Sequence, residues 1–188
     1  MDVRPLILFN MDFETVVRER YSCKRYDATR QVSEEQLQAI LEAGRLAPTA
    51  KNLQEQHIYV VQSPEALGKV DHCTPCRYDA PTVLVVTFDK TNVYTYPVPD
   101  GSDGPRRTSG IEDAAIVATH LMLAATNAGV DNCWLNCVHI DELHKALGLP
   151  DNEEILMLLD LGYAAAEGGQ PKANHFSRKP LSETVSRL

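Results

Sequence analysis

The chain has 188 residues, of which 44% are hydrophobic and 23% charged, with a formal net charge of −8. This length suits one domain with a large core, and a sequence pI of about 5.2 argues against a nucleic-acid binder or a protein that docks on anionic membranes. Five cysteines in such a composition read as thiols rather than structural disulfides.

The opening MDVRPLILFNMD holds a short apolar run between acids, so neither a signal peptide nor a membrane span is expected and the protein is placed in the cytoplasm. Asp12 is a candidate N-cap for a helix that runs through Phe13, Val16 and Val17 to about Tyr21. Ser33 with Gln36 forms a capping box for a second helix, which Pro48 ends. HIYVVQS reads as a strand, and Ser63 with Pro64 starts a short helix. APTVLVVTF is continuously apolar and β-branched, a strand buried on both faces.

Residues 90–110 carry prolines, glycines and two tyrosines with no period, a loop long enough to suggest function. The stretch 111–128 is apolar on most faces and predicts a central buried helix closed by Gly129, with His120 as a core residue. Its apolar excess points to a dimer. NCWLNCVHI is extended, DELHKALGL is a short helix, EEILMLLDLGYA holds a last buried strand, and the tail from 164 is polar. Alternating helices and strands imply an α/β or α+β domain around one sheet.

The chain has no GxGxxG and no GxxxxGK[ST], so a phosphate would have to be held by side chains. RYSCKRYD, residues 20–27, offers a guanidinium on Arg20, a hydroxyl on Ser22 and an ammonium on Lys24. In an extended segment these three share one face; as residues at a helix end they would only complement its dipole. LAPTAKNLQEQHIYVV lays out Thr49, Asn52 and Gln54 in a loop, where they would either read the polar edge of a planar ring or satisfy their own backbone.

Together these stretches resemble the nitroreductase family of FMN-dependent NAD(P)H oxidoreductases. Arg20, Ser22 and Lys24 match an Arg-x-Ser-x-Arg/Lys pattern, and Ala47 to Gln54 match Ala-Pro-Ser-x-x-Asn-x-Gln. EDAAIVATHLMLAATNAGVDNCW and LDLGYAAAEGG…SRKPL look like the family's central helix and its closing strand with a basic tail. The resemblance implies an α+β, three-layer α/β/α sandwich around a mainly antiparallel sheet, spanning 1–188 as a single homodimeric domain.

It further implies FMN held by Arg20, Tyr21, Ser22, Lys24 and Arg178. Thr49, Ala50 and Asn52 would approach from the other subunit, and Pro48 is a further implied cofactor contact. Leu135, Asn136 and Cys137 would pass the flavin N5, with the Asn136 backbone near it. NAD(P)H is the implied co-substrate, and a small organic acceptor such as a nitroaromatic or quinone takes the hydride in a ping-pong cycle. No catalytic side chain and no metal are implied. The alternatives are another redox reaction at the same site (dehalogenation or dehydrogenation) and a thiol- or metal-based redox sensor.

This sequence departs from the family pattern in three places. Glu55 and Gln56 replace Pro-Trp, Phe176 stands where a second tail cation is expected, and the 90–110 loop has no counterpart. That loop is placed over the substrate pocket, where Tyr94, Tyr96 and Arg107 would either select the acceptor or stand as solvated loop residues, and 164–188 is an extended tail. Cys73 with Cys76 and Cys133 with Cys137 form two close pairs along the chain; packed free thiols are the simpler reading. No site for the ribose phosphate of NADPH is legible.

Overall fold

The structure, a computed structural model, describes residues 11–98 and 107–188. The apolar run near the start and the middle of the 90–110 loop lie outside the described residues.

Helix α1 (Phe13–Glu19) starts where the Asp12 carboxylate accepts the Thr15 N–H. Helix α2 (Glu34–Arg45) starts on the expected capping box: the Ser33 hydroxyl accepts from the Gln36 N–H, and the Gln36 side chain accepts from the Ser33 N–H. Gln36 also donates to the Ala128 carbonyl at 2.8 Å and accepts from the Tyr163 hydroxyl at 2.7 Å. One capping side chain thereby ties three parts of the chain together.

Strand β1 (Gln56–Val61) leads into α3 (Pro64–Cys73), which begins at Ser63 and Pro64 as expected but reaches Cys73. Strand β2 (Thr82–Asp89) follows, then α4 (Gly110–Asn127), β3 (Asp131–Leu135), α5 (Ile140–Leu147), β4 (Glu153–Gly162) and a one-turn α6 (Leu181–Thr184). The strands form one sheet in the order β1-β2-β4-β3, and every neighbouring pair is antiparallel.

Alternation along the central strands divides the core between the two faces. Leu84, Val86, Met157 and Leu159 pack against Leu37 and Ile40 of α2 and Val117, Ala118 and Leu121 of α4. Val83, Val85 and Leu158 pack against Val70 of α3 and Leu143 of α5. The fold is therefore α+β in three layers, α2/α4 over the sheet over α3/α5. Each fully buried aliphatic side chain in these layers contributes about 1.5–3 kcal/mol.

The crossing of α2 on α4 needs Gly44, because a Cβ there would stand 2.6 Å from Leu121 Cδ2. Helix α4 buries Ala114, Val117, Ala118, Leu121 and Ala125 but leaves Ile111 and Ile116 exposed on its outer side. His120 lies on that outer side, half-buried, with Nδ1 2.8 Å from the Ile116 carbonyl oxygen. It is not the core residue expected, since the helix is one-sided rather than buried all round. Among the described residues no helix is long and apolar enough to cross a membrane.

Candidate active site

Beyond α1 the chain extends, and residues 22–23 run alongside edge strand β3: Ser22 bridges Asn132, and the Cys23 N–H donates to the Asn132 carbonyl at 3.0 Å. Tyr26 then bridges Ala164, and its N–H donates to the Tyr78 carbonyl. Alternation buries Cys23 completely and turns Ser22 and Lys24 outward.

Arg20, Tyr21, Ser22 and Lys24 line a cavity of about 300 Å³ with Cys133 and Trp134 of β3. The tail closes its other side with Lys172, Asn174, His175 and Arg178. The tail is held by a short 3-10 turn, Ala173–Phe176, and by the edge of His175 against the Tyr21 ring, centroids 6.1 Å apart. Arg178 donates from Nη1 to the backbone carbonyls of His175 and Ser177, the latter at 2.8 Å.

The electrostatics of this cavity are one-sided. It is lined by Arg20, Lys24, Lys172 and Arg178 and, among the described residues, by no carboxylate. Burial lowers the pKa of Arg20, and the neighbouring positive charge of Arg178 lowers it further. The folded chain therefore presses like charges together around a space open to solvent. Such an arrangement is adapted to an anion with several acceptor oxygens, a phosphate above all. Burial, followed by Asp160, pushes the Cys133 thiol up to about 11, so it lines the cavity as a neutral group.

The other expected residues lie elsewhere in the chain. Leu135 is buried in the core, while Asn136 and Cys137 are exposed just beyond β3 and do not line the cavity. The Asn136 side chain accepts from the Trp134 indole N–H at 3.1 Å. Pro48, Thr49, Ala50 and Asn52 form a separate loop at the start of α4, also away from the cavity.

That loop is strained. Lys51, Asn52 and Gln54 all have left-handed φ values of 53–56°, which cost non-glycine residues energy and concentrate at functional sites. The Ala50 N–H donates to both carboxylate oxygens of buried Asp113 at 3.0 Å, and Thr49 Oγ1 accepts from the Gln54 N–H. Glu55, found where the family pattern has proline, is buried and accepts from the Ser109 hydroxyl at 3.1 Å. Burial raises its pKa, and nearby Asp113 adds to the rise.

The stem of the 90–110 loop joins this second region. Thr95 bridges Thr108, the Tyr96 hydroxyl donates to Glu112 at 3.0 Å, and Arg107 pairs with Glu112. The Lys51 ammonium sits 5.5 Å from the Tyr94 ring centroid. Tyr94, Tyr96 and Arg107 thus gather beside the 49–54 loop rather than at the cationic cavity.

Sequence reasoning missed Lys172, Asn174 and His175, which stand in a tail without periodicity. Phe176 has no cationic counterpart at its own position, but Lys172 brings a second tail cation into the cavity.

Residues 17–75 and 73–163 match the model of the Nitroreductase family, which takes in the 20–24 segment, the 47–54 loop, α4 and β3. The crystal structure of a nitroreductase family protein from Clostridium difficile 630 is 35% identical, with a TM-score of 0.83 over 94% of this chain and 98% of that one. A protein from Exiguobacterium sibiricum 255-15, solved as a complex with FMN, shares the fold with a TM-score of 0.78 at 22% identity, over 96% of this chain and 99% of that one. An Archaeoglobus fulgidus relative bearing the name NADH dehydrogenase/NAD(P)H nitroreductase is 29% identical over 81% of this chain and 85% of its own length. With most of its length matched to the family model, this chain is a member of the nitroreductase family.

Proposed function

We propose that the protein is an FMN-dependent oxidoreductase that takes a hydride from NAD(P)H and gives it to a small organic acceptor such as a nitroaromatic or quinone. The observation that carries this reading is the cavity with Arg20, Lys24, Lys172 and Arg178 and, among the described residues, no carboxylate. Its donor set suits one terminal phosphate. A dinucleotide pyrophosphate would call for a glycine-rich turn, and the sequence has none of that type.

In this reading Arg20 and Arg178 grip the phosphate as planar forks and Lys24 acts as a point charge. Ser22 and Asn174 supply hydrogen bonds along the polyol, and Tyr21 and Trp134 give the cavity its apolar walls. Residues 135–137 leave β3 just after Trp134, which lines the cavity, and Asn136 is an exposed residue whose N–H would meet the flavin edge. Bound FMN supplies the hydride chemistry, and the chain orients it and tunes its edges. The acceptor and the nicotinamide would take turns at one face.

The 48–54 loop and the Tyr94, Tyr96 and Arg107 group lie apart from the cavity within one chain. We place them over the flavin of a second subunit, with the exposed Ile111 and Ile116 of α4 turned toward the partner. Family membership and the one-sided apolar face of α4 support this arrangement. Dehalogenation or dehydrogenation at the same flavin site is the second reading. Among the described residues no three His, Cys, Asp or Glu side chains gather as a metal set, so no observation favours a metal-based sensor.

Release and chromatography of the pigment test the reading. The purified protein is expected to be yellow and to give up FMN on denaturation. FAD, or a colourless protein that takes up no FMN on reconstitution, would contradict it.

A further inference from the structure

The five cysteines are free thiols, and their spatial grouping differs from their order in the chain. Cys73 closes α3 with its side chain buried among Val70 and Leu143, while Cys76 stands half-buried in the turn beyond. The Thr74 hydroxyl accepts from the Cys76 N–H at 3.0 Å and donates to the Cys137 carbonyl at 2.6 Å. The His139 N–H donates to the Cys73 carbonyl at 2.9 Å. The turn after α3 is therefore laced to the segment that leaves β3, with the Thr74 hydroxyl bridging the Cys76 and Cys137 backbones, and the two thiols lie near enough to shift each other's pKa.

From this placement we infer that Cys76 and Cys137 form a reversible intrachain disulfide, with a low-molecular-weight disulfide as the oxidant.

The two sulfurs have complementary environments. A hydrogen bond from the Tyr78 hydroxyl, with help from Cys137, lowers the Cys76 pKa, and the charge of Lys24 acts in the same direction. Cys137, exposed, has its pKa raised by Cys76, so it keeps its proton longer and shares it with its neighbour. Cys76 is thus the attacking thiolate and Cys137 the resolving thiol. By contrast Cys73 and Cys133 are buried, and burial raises both of their pKa values.

The chemistry balances in two exchanges. The Cys76 thiolate attacks one sulfur of the oxidant and breaks its S–S bond, leaving a mixed disulfide and releasing one small thiol. Cys137 then loses its proton to solvent and attacks the Cys76 sulfur, which releases the second small thiol. The two cysteines lose two electrons and two protons in total, and the oxidant becomes two thiols. The bond would pin residues 136–138 to the turn after α3. The proposal stands independently of the flavin reading, because it concerns sulfur chemistry alone.

The test incubates the full chain with oxidised glutathione, blocks remaining thiols with N-ethylmaleimide, and reads intact mass and non-reducing gel mobility. Cys73 and Cys76 share a tryptic peptide, as do Cys133 and Cys137, so single Cys→Ser variants assign the bond. The expected result is a monomeric chain lighter by two hydrogens, with the link kept in Cys73→Ser and Cys133→Ser and lost in Cys76→Ser and Cys137→Ser. With maleimide alone, Cys76 should be modified faster than Cys73 or Cys133. A link that survives in Cys76→Ser or Cys137→Ser, a link between chains, or glutathione retained on Cys76 with no internal bond would overturn the proposal. So would a chain in which no thiol reacts.

Discussion

Arg20 and Arg178 reach the same cavity from opposite ends of the chain, and the charge of Arg178, after burial, lowers the pKa of Arg20. The chain therefore holds two like charges close together, a repulsion that a bound anion would relieve.

Arg178→Met should consequently separate binding from stability. FMN affinity is expected to fall by about 1.5–3 kcal/mol, the worth of a hydrogen bond to a charged group. The melting temperature of the apo-protein should stay level or rise, because a repulsion has gone. Calorimetric titration and thermal melts of the flavin-free variant check both. A lower apo melting temperature with unchanged FMN affinity would make Arg178 a structural residue only.

Asp160 predicts a pH effect of definite sign. It is fully buried in β4, and neither carboxylate oxygen has a hydrogen-bond partner among the described residues. Burial raises its pKa well above 3.8, with Arg77 opposing the rise. The native chain keeps this proton after the unfolded chain has released it. Stability from this group is thus whole below the unfolded-state value and is lost as pH rises, by about 1.4 kcal/mol per pH unit up to the native pKa. Asp160→Asn should match wild type near about pH 4 and gain on it toward about pH 7 in urea unfolding. A gap that narrows as pH rises would show that Asp160 is ionised in the fold.

Gly44→Ala should destabilise by about 1–3 kcal/mol, the usual cost of overpacking. Its Cβ would stand 2.6 Å from Leu121 Cδ2 and 3.0 Å from Cγ, and Leu121 is completely buried. In a double-mutant cycle with Leu121→Ala the costs should fall short of additive, since the smaller residue makes room for the methyl. Additive costs would mean that α2 and α4 do not meet at this pair.

The proposed two-chain site makes a prediction about mixtures. Arg20 and Asn52 belong to separate regions of one chain, so a shared site takes Arg20 from one subunit and Asn52 from the other. Arg20→Ala and Asn52→Ala homodimers should each bind FMN weakly at both sites. In a hybrid of the two, one site collects both defects and the other has none. Tight sites should therefore reappear after subunit exchange. If none reappear although hybrids form, both residues serve a site within one chain.

The sequence carries the frame of this fold where local chemistry decides the structure. Asp12, the Ser33–Gln36 box and Ser63 with Pro64 mark helix starts because their side chains satisfy nearby backbone groups. The continuous apolar run of β2 marks a central strand because both its faces are covered. Long-range placement leaves no such local trace. Lys172, Asn174 and His175 enter the cavity from an irregular tail. Cys76 is joined to Cys137 through the Thr74 hydroxyl, while α3 runs on to Cys73 and turns that thiol into the core. His120 and the outer residues of α4 look like core in composition, and only the packing of the helix leaves them outside.

Binding of FMN against riboflavin by flavin-free wild type and Arg20→Ala tests the central claim most directly, because the two ligands differ only in the phosphate. Wild type should prefer FMN strongly. In Arg20→Ala the FMN affinity should drop by about 1.5–3 kcal/mol while riboflavin affinity stays where it was, so that the preference shrinks. Equal losses for both ligands, with the fold intact, would place Arg20 away from the phosphate and contradict the assignment of the cationic cavity.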